Sequence, residues 1–314
     1  MSDSASPVDS PDSVRYRGRF APSPTGPLHF GSLVAAVASY AQALAQGGEW
    51  LVRIEDIDPT REMPGAAASI LASLEAHGFE FPPPVFQSAR LNLYDDAIDR
   101  LLTAGLAYPC SCTRQTLLET AKRGRAGLIY PGTCRNGADT SERPATAVRL
   151  RTDAVPTTFT DGLQGPMRCV LQDEIGDFLL RRGDGLVAYQ TAVAIDDATQ
   201  RITEVVRGTD LLDSTFMQLH LLDKLSLNAP QYAHVPVVTG ADGEKLSKQS
   251  RAVEIDNNQS KFNILRALSF LLQEPPEKLK TASLPAIWSW AAENWDFSRL
   301  VGLRSRPEKS IMMQ

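Results

Sequence analysis

Only four residues of the 314 are cysteine, at positions 110, 112, 134 and 169. That is too few for a disulfide-built secreted scaffold, and the placement fits a reducing cytoplasm with a metal site better than paired bridges. Glycine and proline stand at 21 each without any period, which excludes collagen-like and low-complexity chains. There is no basic excess: 32 Lys and Arg face 37 Asp and Glu, a formal net charge of −5. A nucleic-acid partner would therefore need a local basic face. No secretory signal is visible, since residues 1–14 are mostly Ser, Asp and Pro and read as a disordered leader. The one long uncharged run, residues 30–48, has the length of a membrane span. It is Ala-rich and broken by Ser32, Ser39, Tyr40, Gln42 and Gln46, so it reads as a buried helix and no membrane association is expected.

What is present is ordinary globular patterning of a length suggesting about two domains. A strand at 17–21 runs into a proline-rich break, a helix follows at 30–46 with Leu33, Val37, Tyr40 and Leu44 on one stripe, and a buried strand lies at 50–55. That order predicts a right-handed βαβ unit and hence a parallel sheet. Further helices are expected at 65–77 and 91–104. Residues 110–143, rich in Gly, Pro, Arg and Cys with little periodicity, read as an inserted lobe without an apolar core. Strand candidates follow at 148–151, 167–171 and 178–181. Residues 187–194 and 201–206 return to alternating or apolar patterns. Beyond them come a helix at 214–225, a strand at 235–239, and helices at 261–272 and 285–295.

Two segments carry chemistry. Pro22 to Ser32 (PSPTGPLHFGS) joins the carboxyl end of a strand to the amino end of a helix, where open α/β sheets bind ligands. Unpaired N–H groups and the helix dipole make that place attractive to phosphate. His29 and Ser32 can donate hydrogen bonds there and Gly31 admits a close ligand; a proline turn capped by a histidine explains the same composition. The second segment, Glu244-Lys245-Leu246-Ser247-Lys248-Gln249, follows an Asp-Gly turn and offers two lysines to a pyrophosphate leaving group. Alone, such a loop is usually solvated surface. Neither a Walker P-loop nor a dinucleotide glycine fingerprint is present.

Together the two segments resemble signatures of class I aminoacyl-tRNA synthetases: His29-Phe30-Gly31-Ser32 the HIGH motif, Lys245 to Gln249 the KMSKS motif. Arg19 to Gly26 (RFAPSPTG), Val52 to Asp58 (VRIEDID) and Val206 to Leu211 (VRGTDL) are similar to the glutamate-handling branch. Ser32, Leu246 and Gln249 depart from the family pattern. The resemblance implies an α/β fold, a Rossmann-like parallel-sheet catalytic domain with an inserted zinc-binding lobe and a short C-terminal helical region. The expected division is 1–14 leader, 15–105 and 166–250 the two catalytic halves, 106–165 the inserted lobe, and 251–314 a helical cap. About 65 residues follow the KMSKS-like loop. They leave no room for the anticodon-binding region of full glutamyl-tRNA synthetases, so the chain is similar to their truncated relatives, the glutamyl-Q tRNA(Asp) synthetases.

That resemblance implies ATP-dependent, tRNA-independent activation of L-glutamate and its transfer to the queuosine base in the anticodon of tRNA(Asp). It assigns catalysis to His29, Lys245 and Lys248, and ATP binding to His29, Gly31, Ser32 and Lys248, with Mg²⁺ accompanying ATP. Glutamate falls to Arg19, Phe20, Ala21, Pro22, Ser23, Glu55, Tyr189 and Arg207. The physical reading agrees: a ligand with two carboxylates and one ammonium asks for two cationic forks and an acid. Which arginine takes which carboxylate stays open. A cytoplasmic monomer is expected. The rival readings are a shortened conventional glutamyl-tRNA synthetase and a non-catalytic glutamate- or nucleotide-binding module.

Cys110, Cys112 and Cys134 form a third group. Their spacing fits either a structural zinc or reduced thiols, and the resemblance supplies Tyr130 as fourth ligand. Cys169 reads as core. His77, His220 and His234 stand singly and read as plain surface or core residues. Arg114, Lys122, Arg123, Arg125, Arg135, Arg143, Arg149 and Arg151 crowd the lobe, and Arg299, Arg304, Arg306 and Lys309 the end of the chain. With a tRNA substrate they are expected to meet phosphate; otherwise they are a solvated face.

Overall fold

In the computed structural model, which describes residues 15–137, 144–240 and 253–308, β1 (Arg17–Phe20), α1 (Phe30–Ala45) and β2 (Glu49–Ile54) form the expected unit. β1 and β2 pair in parallel, with Arg17 opposite Glu49 and Phe20 opposite Val52. α1 stops at Gly47, whose φ of +57° suits glycine. At Gly48 a side chain is excluded outright, because a Cβ would meet the Tyr16 carbonyl oxygen at 2.5 Å. The chain continues through α2 (Ala66–Ala76), β3 (Val85–Phe86) and α3 (Leu91–Thr103), with β3 parallel to β2 on its far side.

The next region is better ordered than its composition suggests. β4 (Ala107–Cys110), β7 (Ala147–Leu150) and β10 (Leu179–Arg181) make an antiparallel sheet in the order β10-β7-β4. Between β4 and β7 lie α4 (Arg114–Thr120) and a hairpin of β5 (Lys122–Gly124) and β6 (Gly127–Ile129). The lobe is not coreless: Tyr108, Cys110, Tyr130, Cys134 and Ala147 are buried together. A second hairpin, β8 (Thr157–Asp161) and β9 (Gly165–Cys169), precedes the short α5 (Leu171–Glu174). Cys169 is fully buried in the core beneath it, as expected.

Val187 and Ala188 are extended, but residues 189–194 are helical. Their apolar run belongs to α6 (Tyr189–Thr199), in which Thr191 through Asp197 are all buried. A helix buried on every side lacks the polar stripe that distinguishes it from a core strand. β11 (Glu204–Gly208), α7 (Leu212–Leu225) and β12 (Gln231–Val235) follow, and β12 lies parallel to β11. The expected strand at 235–239 divides at Pro236 into the end of β12 and a separate β13 (Val237–Thr239). α8 (Ser260–Phe270) and α9 (Leu284–Asn294) pack on α1. The described chain then adds β14 (Ser305–Pro307), parallel to β13, which the sequence did not announce.

β11 lies beside β1, where Thr203 N–H donates to the Arg17 carbonyl at 2.9 Å. The β1-β2-β3 sheet and the parallel β11-β12 pair therefore lie side by side, with β2 and β3 on one side of β1 and β11 with β12 on the other, leaving a crevice at the carboxyl ends where the order reverses. The main core underpins it. Tyr40, Trp50, Phe79 and Trp288 meet with ring centroids 4.7 to 5.3 Å apart. Large-to-alanine truncation in such a cluster costs about 3–5 kcal/mol. Among the described residues no helix is long and apolar enough to cross a membrane.

Candidate active site

The crevice holds a cleft of about 760 Å³, lined by Arg19, Phe20, Ala21, Pro22, Ser23, His29, Gly31, Ser32, Glu55, Tyr189 and Arg207. All the candidate glutamate and nucleotide residues within the described chain thus converge on one place, from β1, the turn before α1, the end of β2, the start of α6, and β11. Lys245 and Lys248 lie outside the described residues. A second cavity of about 850 Å³ shares Ser23, Glu55, Arg61 and Tyr189 with the first and extends to Cys112 and Arg149 in the inserted lobe.

The turn at 22–27 is tied to the sheet by Glu55 N–H donating to the Pro22 carbonyl at 3.0 Å. His29 is the N-cap of α1: its Nδ1 accepts the Ser32 N–H at 3.3 Å. The proton of the neutral ring is then on Nε2, 3.1 Å from Ser32 Oγ. The capping reading of His29 is therefore correct, and it holds the ring at the rim of the cleft.

Beneath the cleft lies a layer of buried charge. Arg19 donates from Nε and Nη2 to the two carboxylate oxygens of Asp197, at 3.2 and 3.4 Å. Asp197 also meets Arg53, whose Nε and Nη2 are buried without hydrogen-bond partners but lie 3.6 Å from carboxylate oxygens of Asp196 and Glu55 respectively. Asp196 accepts from Gln87, Arg90 and Tyr94 at 2.7 to 2.8 Å. Burial would lift Asp197, yet Arg19 and Arg53 outweigh it and hold its carboxyl below the usual range. At Glu55 burial wins over Arg53 and Arg19, and the carboxyl is pushed up to about 7. Burial likewise raises the Tyr189 phenol, which stays protonated and able to donate.

Arg207 sits over the Tyr232 ring. It donates from Nε to His234 Nε2 at 3.1 Å and from Nη2 to Thr215 Oγ1 at 2.8 Å and the Leu211 carbonyl at 3.3 Å. Its Nη1 is buried with no hydrogen-bond partner. Sequence reading passed over Arg53, Asp196, Asp197 and Asp161, and placed His234 among the plain residues. All three isolated histidines are indeed buried, but His234 adjoins the site. Adjacent acids in an apolar stretch, at 196 and 197, and an arginine inside an apolar strand, at 53, were the available signals.

In the inserted lobe the sulfurs of Cys110, Cys112 and Cys134 lie within 4.8 Å of one another. Tyr130 Oη is 3.5 Å from the sulfurs of Cys110 and Cys112 and accepts the Cys134 N–H at 2.8 Å. Burial and the neighbouring thiols push the phenol up. Burial also acts to raise Cys134, but hydrogen bonds from Tyr130 and Ser111 bring it down to about 6. Three soft sulfurs and an oxygen around one point match the donor set of a tetrahedral zinc site.

The basic face is smaller than the sequence suggests. Arg149 is buried, donating to Cys110 Sγ at 3.3 Å and the Asp177 carbonyl at 2.8 Å, with its guanidinium 3.8 Å from the Tyr130 ring centroid. Arg135 pairs with Asp177, Arg151 donates to the Gly105 and Arg135 carbonyls, and Arg125 faces Glu174 and Asp213. Arg114, Lys122, Arg123 and Arg304 are exposed, while Arg299 pairs with Glu274 and Asp296 and Arg306 donates to the Phe270 carbonyl. Arg143 and Lys309 lie outside the described residues.

The geometry can be set beside known proteins. Residues 15–269 match the family described as tRNA synthetases class I (E and Q), catalytic domain. A glutamyl-Q tRNA(Asp) synthetase of Dechloromonas aromatica is 53% identical over 95% of this chain and 98% of its own length. One of Chromobacterium violaceum is 51% identical over 91% and 95%. Among solved structures, a glutamate-tRNA synthetase from Elizabethkingia anophelis superposes with a TM-score of 0.76 at 24% identity, covering 93% of this chain and 68% of that one, which bears on the fold alone. The crevice, its charged floor and these likenesses lead to one conclusion: the chain belongs to the class I tRNA synthetases of the glutamate and glutamine branch, among the glutamyl-Q tRNA(Asp) synthetases.

Proposed function

We propose that the chain activates L-glutamate with ATP, without tRNA, and transfers the glutamyl group to the queuosine base in the anticodon of tRNA(Asp). The convergence of two buried arginines, a buried acid and a protonated phenol on one cleft carries this reading. Arg207 Nη1 and Arg19 serve the two carboxylates, Glu55 the ammonium, and Tyr189 donates to a carboxylate oxygen; Phe20, Ala21, Pro22 and Ser23 wall the site.

ATP lies against His29, Gly31 and Ser32 at the amino end of α1, where the dipole favours phosphate. One carboxylate oxygen of glutamate attacks the α-phosphorus, the bond to the bridging oxygen breaks, and pyrophosphate departs with the electron pair. Catalysis is mostly electrostatic positioning, with His29 donating a hydrogen bond and Lys245 and Lys248 neutralising charge as it develops. Mg²⁺ accompanies ATP and shields its phosphates. The acceptor on the modified base then attacks the activated carbonyl and AMP leaves. Cys110, Cys112, Cys134 and Tyr130 hold a zinc ion that keeps the inserted lobe folded.

Two assays test the reading. ATP–pyrophosphate exchange should require glutamate, not glutamine or aspartate, and no tRNA; a non-catalytic module would show none. Transfer should survive periodate oxidation of the 3′ diol of tRNA(Asp), whereas a conventional glutamyl-tRNA synthetase loses its acceptor.

A further inference from the structure

Arg207 is held in part by residues that do not line the cleft, His234 and Thr215, and behind them Asp161. Asp161, at the end of β8, is buried, and its Oδ1 accepts the backbone N–H groups of Leu163, Gln164 and His234 at 3.0, 2.9 and 3.1 Å. Its Oδ2 lies 2.5 Å from His234 Nδ1. The other ring nitrogen faces Arg207 Nε at 3.1 Å, with Thr215 Oγ1 at 3.3 Å. A guanidinium N–H can only donate, so His234 Nε2 must accept, and the ring proton must sit on Nδ1 where Asp161 takes it. Neither side chain of the Asp161–His234 pair is exposed.

The consequence falls on the third nitrogen of Arg207. Nε is spoken for by His234, and Nη2 by Thr215 and the Leu211 carbonyl. A planar group fixed at two corners has its third corner fixed as well, and that corner is the buried, unpartnered Nη1. We infer that Asp161 and His234 are positioning residues for substrate binding: the carboxylate selects the imidazole tautomer, and that tautomer holds Arg207 Nη1 toward a carboxylate of the amino-acid substrate. The inference rests on the reading of the cleft as an amino-acid site. Burial supports it by drawing His234 down to about 4 in spite of the hydrogen bond to Asp161, which keeps the ring neutral beside the guanidinium.

Asp161→Asn isolates the tautomer. Three backbone N–H groups keep the amide oxygen in the Oδ1 place, so the NH₂ must face His234 Nδ1. The ring proton then moves to Nε2 and opposes Arg207 Nε–H, two donors face to face. In glutamate-dependent exchange the variant should raise KM for glutamate about 10–100-fold while KM for ATP stays within about twofold. Ring ¹⁵N shifts of His234 should report the change of tautomer. Adding His234→Gln to Asp161→Asn, which offers an amide acceptor to Arg207 and has no tautomer to lose, should recover much of the glutamate affinity.

An unchanged KM for glutamate with the tautomer switched overturns the inference, as does an equal rise in both KM values. Should Asp161→Asn fail to fold, His234→Gln and His234→Phe are compared instead: a selective loss of glutamate affinity in the second supports the inference, and equal effects overturn it. If the wild-type chain shows no exchange, the reading of the cleft falls, and the inference is judged by glutamate binding in calorimetry with the same variants.

Discussion

Arg53 Nη1 lies 2.8 Å from Asp197 Oδ1, with neither side chain exposed to water. The pair is the hub of the floor under the cleft, because the same Asp197 carboxylate holds Arg19 side-on. Buried ion pairs add little stability over an apolar substitute, but removing one partner strands the other. Asp197→Ala therefore leaves two guanidinium groups short of a counterion and should cost about 3–5 kcal/mol in urea unfolding. Adding Arg53→Met should return part of that loss. A cost below about 1 kcal/mol would show that the two arginines find other partners.

Glu55 gives the site a pH signature. Burial holds its carboxyl near 7 before substrate binds, and only the ionised form attracts an ammonium group. Below pH 7 binding must expel a proton; above it the carboxylate is already formed. KM for glutamate should therefore rise as pH falls below 7, approaching about tenfold per unit, and level off above. Glu55→Gln should flatten this profile and bind glutamate weakly at every pH. A pH-independent wild-type KM between 5.5 and 8 would contradict the assignment.

Lys248 tests the second signature, which lies outside the described residues. Its charge is asked to act on the departing pyrophosphate, a transition-state role, so Lys248→Ala should lower the exchange rate about 10²–10³-fold. KM for glutamate should change little, because no carboxylate of the amino acid is assigned to it. Near-native exchange in the variant would remove Lys248 from the mechanism.

The legible parts of this chain were local. α1 announced itself by Leu33, Val37, Tyr40 and Leu44, and the cleft by motifs in which each residue type has a stated chemical reason. Long-range pairings were not legible. Asp161 and His234 are 73 positions apart, and nothing near either residue signals the other. β14 joins β13 across more than sixty residues for the same reason. Arg149 had the composition of a phosphate ligand, but Cys110, Asp177 and the Tyr130 ring absorb it into the lobe. α6 concealed its periodicity because every face of it is buried.

That absorption makes the metal site testable through folding rather than through chemistry. The apolar cluster around the cysteines is small: five buried residues, three of them proposed metal ligands. Tyr130 is pushed up by burial and its neighbouring thiols, so its phenol ionises only when a cation supplies the field. Purified protein should contain about one zinc per chain, and a strong chelator should lower Tm. Cys112→Ser should lose the metal, since few other groups can replace a thiolate there. Tyr130→Phe should keep it more weakly, because three sulfurs remain. It should also abolish any phenolate absorbance that appears when zinc is returned to the stripped protein. Metal-free protein whose Tm ignores the chelator would leave the cysteines as reduced thiols, and the lobe would then owe its fold to Arg149, Asp177 and the β10-β7-β4 sheet alone.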